Sequence, residues 1–379
     1  MDFKLNEYQR MLQQAIRKFS ADKIAPAADE RYVSERLDRE TYDELGALGL
    51  PGICFPAAFS GADDKYSSFI LAVEELAKVD DNLSAALSAS VLLCQWSINR
   101  YGTESQKQKY LKPLVEGWQL GAFGLTEGRR GSDIAELETV AVRQGDYYLI
   151  NGSKSFITNG GEAETYVVFA ITDKSKGSKG ISAFILTKGL QGFSFSSAER
   201  LPGCGVALTR DLIFRGARVP VENLLGKEGE GLKIALAALE AGQLSVTAQI
   251  VGIGQTVFDK AMQYVKERMP FRQSVAENQK VLLLLASMEA KLNAARLITY
   301  QAAYVRDMNS GYRKEAAIAQ NYALSMAVAV ITGFLQIAGR YALRLDCSVR
   351  RLMRKAQITR IDAIENKLKS NRLAGVMRR

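Results

Sequence analysis

The 379-residue sequence contains no histidine. That absence excludes Ser-His-Asp and Cys-His catalysis, imidazole acid–base work and histidine-ligated metals. Acid–base chemistry therefore falls to carboxylates, lysine, tyrosine, cysteine or a bound cofactor. Cysteine is scarce: Cys54, Cys94, Cys204 and Cys347 lie far apart and form no CxxC pair. They read as thiols of a reducing compartment, not as a disulfide frame or a zinc site, so no metal is expected. Residues Met1 to Glu7 do not have the pattern of a signal peptide, and the expected location is cytoplasmic.

Acidic residues are in deficit, with 50 Lys+Arg against 41 Asp+Glu and a net charge of +9. The C-terminal basic residues (Arg340, Arg344, Arg350, Arg351, Arg354, Lys355) alternate with apolar ones at helical spacing, and no nucleic-acid motif accompanies them. Such a face is either solvated or meets an acidic partner or a polyanionic ligand; nucleic acid is not expected. The one long uncharged run, Ala316 to Gly339, is interrupted by Gln320, Asn321, Ser325, Thr332 and Gln336. It reads as a helix buried in a core or a subunit interface, not as a membrane span. Internal repeats are absent.

What is present centres on residues 120–160. An apolar run, Ala122 to Leu125, ends in Thr126 and a glycine-punctuated loop, Gly128 to Gly131, whose successive N–H groups suit a phosphate or another oxyanion. Lys154 to Asn159 alternates as a strand does, which puts Phe156 and Thr158 on one face. An aromatic and a hydroxyl so placed can stack a planar ring and bond its edge.

The rest of the chain divides by period. Residues 1–117 read as helices: Leu5 to Ala28 ending at Pro26, Tyr66 to Val79, Leu83 to Tyr101, and a helix to Val115 opened by a Thr103–Gln106 capping box. Trp96 and Trp118 are expected in the core or at a domain junction. Residues 118–228 have period two, with a hairpin turn at Gln144–Gly145–Asp146, strands at Glu164–Thr172, Ile181–Thr187 and Leu208–Phe214, and an exposed loop at Lys174–Lys179. Residues 229–379 return to long helices: Leu232 to Glu267, one opened by a Ser274–Glu277 capping box and running to Met308, Lys314 to Ile337, and Val349 to Asn371. The expected fold is α+β: an N-terminal helical domain, a central β-barrel-like domain and a C-terminal four-helix bundle.

The stretch Thr126-Glu127-Gly128-Arg129-Arg130-Gly131-Ser132-Asp133, followed by Phe156-Ile157-Thr158-Asn159, resembles the flavin-binding centre of acyl-CoA dehydrogenases. The family pattern there is Thr-Glu-Pro-x-x-Gly-Ser-Asp and then Trp-Ile-Thr/Ser-Asn. The resemblance continues through Gly180–Ile185, Arg218–Gly226, Gly229–Gly231 and Gln336–Ile337, in the family's order and over most of the chain. It implies FAD as cofactor, with Leu125, Thr126, Gly131 and Ser132 at the isoalloxazine edge and phosphates, Phe156 against the ring and Thr158 at its reactive edge. It also implies that Arg268 and Phe271 reach the pyrophosphate across a dimer interface, with Gln279, Gln336 and Gly339 as further cofactor contacts. Arg129 and Arg130 replace the common Pro-Gly-Ala-Gly loop; beside Ser132 and Gln243 they are candidates to hold a substrate phosphate, or are solvent-facing. The implied partners are an acyl-CoA or acyl-carrier-protein thioester, further copies of the chain in a homodimer or homotetramer, and an electron-transfer flavoprotein.

The departures fall where the family does its chemistry. Its usual glutamate aligns with Ala363, its alternative position with Gly242, and the neighbouring arginine with Gln243. Asp362, Glu365 and Glu240 are the nearest carboxylates. The expectation is an oxidoreductase of a thioester with a non-standard or absent base. The alternatives are a thioester- or partner-binding protein, or a flavin-dependent reductase that needs no carboxylate.

Overall fold

The computed structural model describes residues 4–27, 39–128, 137–197, 209–267, 278–308, 311–339 and 342. The N-terminal region is helical: α1 (Glu7–Phe19), α2 (Arg39–Ala47), α3 (Tyr66–Ala77), α4 (Asp81–Ser88), α5 (Trp96–Tyr101), α6 (Glu104–Gln106) and α7 (Lys112–Val115). Two short local signals set their starts. Asn6 and Gln9 form a capping box for α1, and Thr103 and Gln106 form one for α6, each satisfying two N–H groups the first turn leaves free. The expected Leu83–Tyr101 helix begins earlier, at Asp81, because the Asp80 carboxylate accepts the N–H groups of Asn82 and Leu83. Between α4 and α5 the chain widens into a π-helical turn, Ala89–Gln95. Such turns recur at functional sites.

The central strands are β1 (Gly121–Gly124), β2 (Val140–Gln144), β3 (Tyr147–Thr158), β4 (Thr165–Ile171), β5 (Ile181–Thr187), β6 (Phe193–Phe195), β7 (Thr209–Pro220) and β8 (Leu224–Leu225). They form one eight-stranded sheet in the order β6-β7-β3-β2-β4-β5-β8, with β1 parallel to β4. The β2–β3 hairpin closes at Gly145 as expected, and β4 and β5 are buried along almost their whole length. Three long helices follow: α8 (Gly231–Glu267), α9 (Gln279–Asp307) and α10 (Arg313–Ala338). The described part of α9 opens under Asn278, whose side chain accepts the Lys280 N–H; Ser274–Glu277 and Val349–Asn371 lie outside the described residues.

Two apolar cores hold this together. The larger runs from the N-terminal helices through the sheet to the first half of α8, including Ile234, Ala235, Ala238 and Leu244. The second lies between α8, α9 and α10, around Val257, Leu292, Val330 and Phe334. Both α8 and α10 are long and apolar enough to cross a membrane by composition, but most of each apolar window is packed inside the molecule. Trp96 packs against the larger core. Trp118 is not in the core: it is 74% exposed, on the turn after Gly117 (φ +82) between the helical region and β1, and its carbonyl accepts a bond from Arg39.

Candidate functional site

The loop after β1 and the end of β3 are joined by backbone: the Ser155 N–H donates to the Thr126 carbonyl at 2.8 Å. Leu125 is buried there and Thr126 half-buried. The β3–β7 register shifts between Lys154 and Ile157, a β-bulge that corrects the strict alternation expected for this strand. Lys154 and Ser155 are consequently both buried, while Phe156 turns outward, 47% exposed, at φ +58. A bulky residue in that left-handed region is strained by about 1–3 kcal/mol and persists only when its surroundings dictate it. Here the Asp211 carboxylate accepts the Phe156 N–H at 3.1 Å. Thr158 is half-buried, and the Asn159 amide donates to the Ala86 and Gly121 carbonyls, both at 2.9 Å. The backbone bond thus brings the segment of Leu125 and Thr126 next to that of Phe156 and Thr158, with the Phe156 ring exposed. That arrangement suits a flat conjugated ring.

Beneath it lies a buried ion pair. Lys154 has no exposed surface, and its Nζ is 2.6 Å from Glu127 Oε1. Glu127 also accepts the N–H of Glu138 at 2.6 Å and of Thr139 at 3.1 Å. Burial pulls the Lys154 ammonium down to about 8, against the attraction of Glu127. Burial pushes the Glu127 carboxyl up, but Lys154 and the two N–H donors outweigh it and hold it below its ordinary value. Both groups are charged at neutral pH. Glu127 sits inside the motif quoted above and Lys154 two residues before Phe156, yet the sequence does not signal that they meet: Lys154 continues the inward alternation of Tyr148 and Ile150, and its partner comes from the loop after β1.

A second cluster surrounds α8 at Glu240–Gln243. A Cβ added to Gly242 would come 2.9 Å from Leu93 Cδ2, the end of a flexible side chain on the π-helical turn. The same turn meets the sheet, where Ser90 Oγ accepts the Gly121 N–H at 2.9 Å. Gln243 donates to Gln320 at 2.9 Å. Glu240 is held by Arg313 at 2.7 Å, which ties this carboxylate to α10. The Ala241 carbonyl accepts from both Tyr66 Oη and Arg306 Nη1 at 2.8 Å, with the Arg306 guanidinium 3.5 Å from the Tyr66 ring centroid. Arg306 also escaped sequence reading, since its partners come from other helices.

Gln279, Gln336 and Gly339 are exposed, at the start of α9 and the end of α10. These two helices are successive and packed side by side, with Gly333 against Met288, so those residues share one end of the bundle. Arg129, Arg130, Gly131, Ser132, Arg268, Phe271, Asp362, Ala363 and Glu365 lie outside the described residues.

Comparison with known proteins agrees with this architecture. The models of the N-terminal, middle and C-terminal domains of acyl-CoA dehydrogenases match residues 6–118, 122–217 and 229–363. A short-chain-specific acyl-CoA dehydrogenase of Clostridium acetobutylicum is 43% identical over 361 residues, 95% of each chain. Acryloyl-CoA reductase (NADH) of Anaerotignum propionicum is 38% identical, covering 95% of this chain and 92% of the relative. The solved structure of butyryl-CoA dehydrogenase from Megasphaera elsdenii superposes with a TM-score of 0.94 at 40% identity, covering 100% of both chains.

Proposed function

This chain belongs to the acyl-CoA dehydrogenase family, and from that premise we propose that it oxidises or reduces a CoA or acyl-carrier-protein thioester without a carboxylate at either family base position. It is an acyl-CoA dehydrogenase-like flavoenzyme whose cofactor is FAD. The described residues fit that group: an outward aromatic ring at Phe156, strained into place, beside the polar edge of Thr126 and Thr158. When bound, the flavin takes or gives the hydride. In this reading Phe156 covers one ring face, Leu125 and Thr126 meet its edge, and Thr158 approaches the reactive end. Gly131 and Ser132 take the phosphates. Arg268 and Phe271 serve the cofactor of a neighbouring copy, and Gln279, Gln336 and Gly339 are further cofactor contacts. Arg129, Arg130, Ser132 and Gln243 hold the thioester, and an electron-transfer flavoprotein exchanges the electrons.

The observation that carries the reading is the pairing of that ring platform with a glycine at 242 across the π-helical turn. α-Proton removal needs a positioned base. Gly242 supplies none, Ala363 at the other family position supplies none, and Glu240 is engaged by Arg313. The same feature favours, as a second reading, net reduction of a polarised thioester double bond, with its proton drawn from solvent. The test begins with the cofactor: purified protein is expected to be yellow and to release FAD on denaturation. Colourless protein that takes up no added FAD removes the reading.

We also propose a homodimer or a dimer of dimers. Leu282 and Leu283, beside Gln279 in the first turns of α9, are 49% and 65% exposed, apolar surface that a second copy would cover. Light scattering of the FAD-loaded protein is expected to give at least twice the monomer mass; a monomer at micromolar concentration contradicts it.

A further inference from the structure

We propose that Glu127 and Lys154 form a positioning brace for the cofactor, one buried ion pair that aligns the chain ends flanking residues 129–136 with the Phe156 bulge. The inference rests on the FAD reading above and deepens it. Three contacts on one carboxylate carry it. Oε1 meets Lys154 Nζ and the Thr139 N–H, and Oε2 takes the Glu138 N–H, so residues 127 and 138–139 are pinned together at the neck of the intervening segment. Thr139 is clasped from the other side as well: its Oγ1 donates to the Ser153 carbonyl at 3.1 Å, and Gly152, at φ +138, lets β3 approach so closely that a Cβ would lie 2.7 Å from Thr139 Cα.

Lys154 is the other end of the brace. It is the last residue paired with β7 before the bulge, and its ammonium points inward to Glu127. With Lys154 fixed inward and the Ser155 N–H bound to the Thr126 carbonyl, the following residue is delivered outward, where Asp211 completes its conformation. The same pair therefore sets both the Thr126 side and the Phe156 side of the ring platform. A buried pair kept only for stability is an inefficient device, because an apolar pair of similar volume serves as well or better. Alignment of two chain segments explains its retention.

The test separates folding from cofactor binding. In the double variant Glu127→Gln/Lys154→Met no buried charge remains, so the apo-protein is expected to fold, with a urea midpoint lowered only by the N–H that loses its partner. An amide at 127 offers one acceptor oxygen where the carboxylate offers two, and one of the Glu138 and Thr139 N–H groups loses its partner. FAD titrated into apo-protein, followed by flavin fluorescence, is expected to bind at least tenfold more weakly. The bound flavin's absorption band should also lose its vibronic structure. Glu127→Asp keeps the charge but shortens its reach, and it serves if the double variant does not fold; at least threefold weaker binding is expected. A folded double variant that binds FAD less than threefold more weakly than wild type overturns the brace, as does Glu127→Asp with unchanged affinity. Wild type that binds no FAD overturns the functional reading instead.

Discussion

Mixed anaerobically with saturated short-chain acyl-CoA thioesters, the Gly242→Glu variant is expected to bleach its flavin at least a hundredfold faster than the wild type. General-base catalysis contributes about 10²–10⁴-fold, or about 3–5 kcal/mol of barrier. The wild-type helix has no carboxylate at 242, and the one two residues away is spoken for by Arg313. The insertion is structurally mild. The new Cβ meets Leu93 Cδ2, which can swing aside, and glutamate in mid-helix is favoured over glycine by several tenths of a kcal/mol. Gly242→Gln supplies the same bulk without the base and should remain slow. Rapid bleaching by the wild type would refute the premise and direct attention to Asp362 and Glu365, whose Asn and Gln variants would then identify the group responsible. Bleaching that stays slow in both proteins would leave reduction as the surviving chemistry.

Loss of the Glu75 carboxylate is expected to be the costliest single change away from the site. Its side chain is 2% exposed and accepts from Gln13 at 2.7 Å, from Arg17 through two bonds at 3.0 Å, and from Lys78 at 2.8 Å. The next residue, Glu74, binds Arg296 at 2.8 Å and Tyr300 at 3.0 Å, so the pair fastens α1 and α9 to α3. Glu75→Leu should cost on the order of 2–4 kcal/mol, below the ~3–5 kcal/mol of a fully buried pair because Arg17 is mostly exposed. Burial pushes the Glu75 carboxyl up, but the Arg17 bonds and the Lys78 charge prevail and hold it below its ordinary 4.5. A depressed carboxylate stabilises the fold above its unfolded value, and that contribution is lost as pH falls through the folded one. Urea midpoints measured from pH 6 down to pH 3 should therefore fall more steeply below 4.5 for the wild type than for Glu75→Leu. Parallel curves would show that the ion pairs contribute nothing.

Much of the fold was legible because its signals are local. The Thr103 capping box, the Gly145 hairpin and the apolar period of α8 each specify their element within a dozen residues. The ring platform was legible in part: the loop holding Thr126 and the strand holding Phe156 and Thr158 were both named, and a backbone bond from Ser155 joins them. The bulge was not, because the Phe156 N–H at its positive φ is met by Asp211, fifty-five residues away. Of the two places open to Trp118, core or domain junction, the turn at Gly117 excludes the core by carrying the ring out. Glu240, a candidate base in the sequence, is paired with Arg313 on α10, a contact the sequence could not show.

The helix α8 has a further consequence. At 37 residues it is a rod about 55 Å long, and its first half belongs to the core shared with the sheet while its second half belongs to the helical core. Neither core is complete without it. The chain can be divided on paper after residue 228, but the upstream piece would leave behind Ile234, Ala238 and Leu244, and with them a wall of its own interior. Mechanically α8 is a shared axle. Gly242, beside the turn that carries Leu93 and Ser90, is joined to the helical core by continuous helix instead of by a loop.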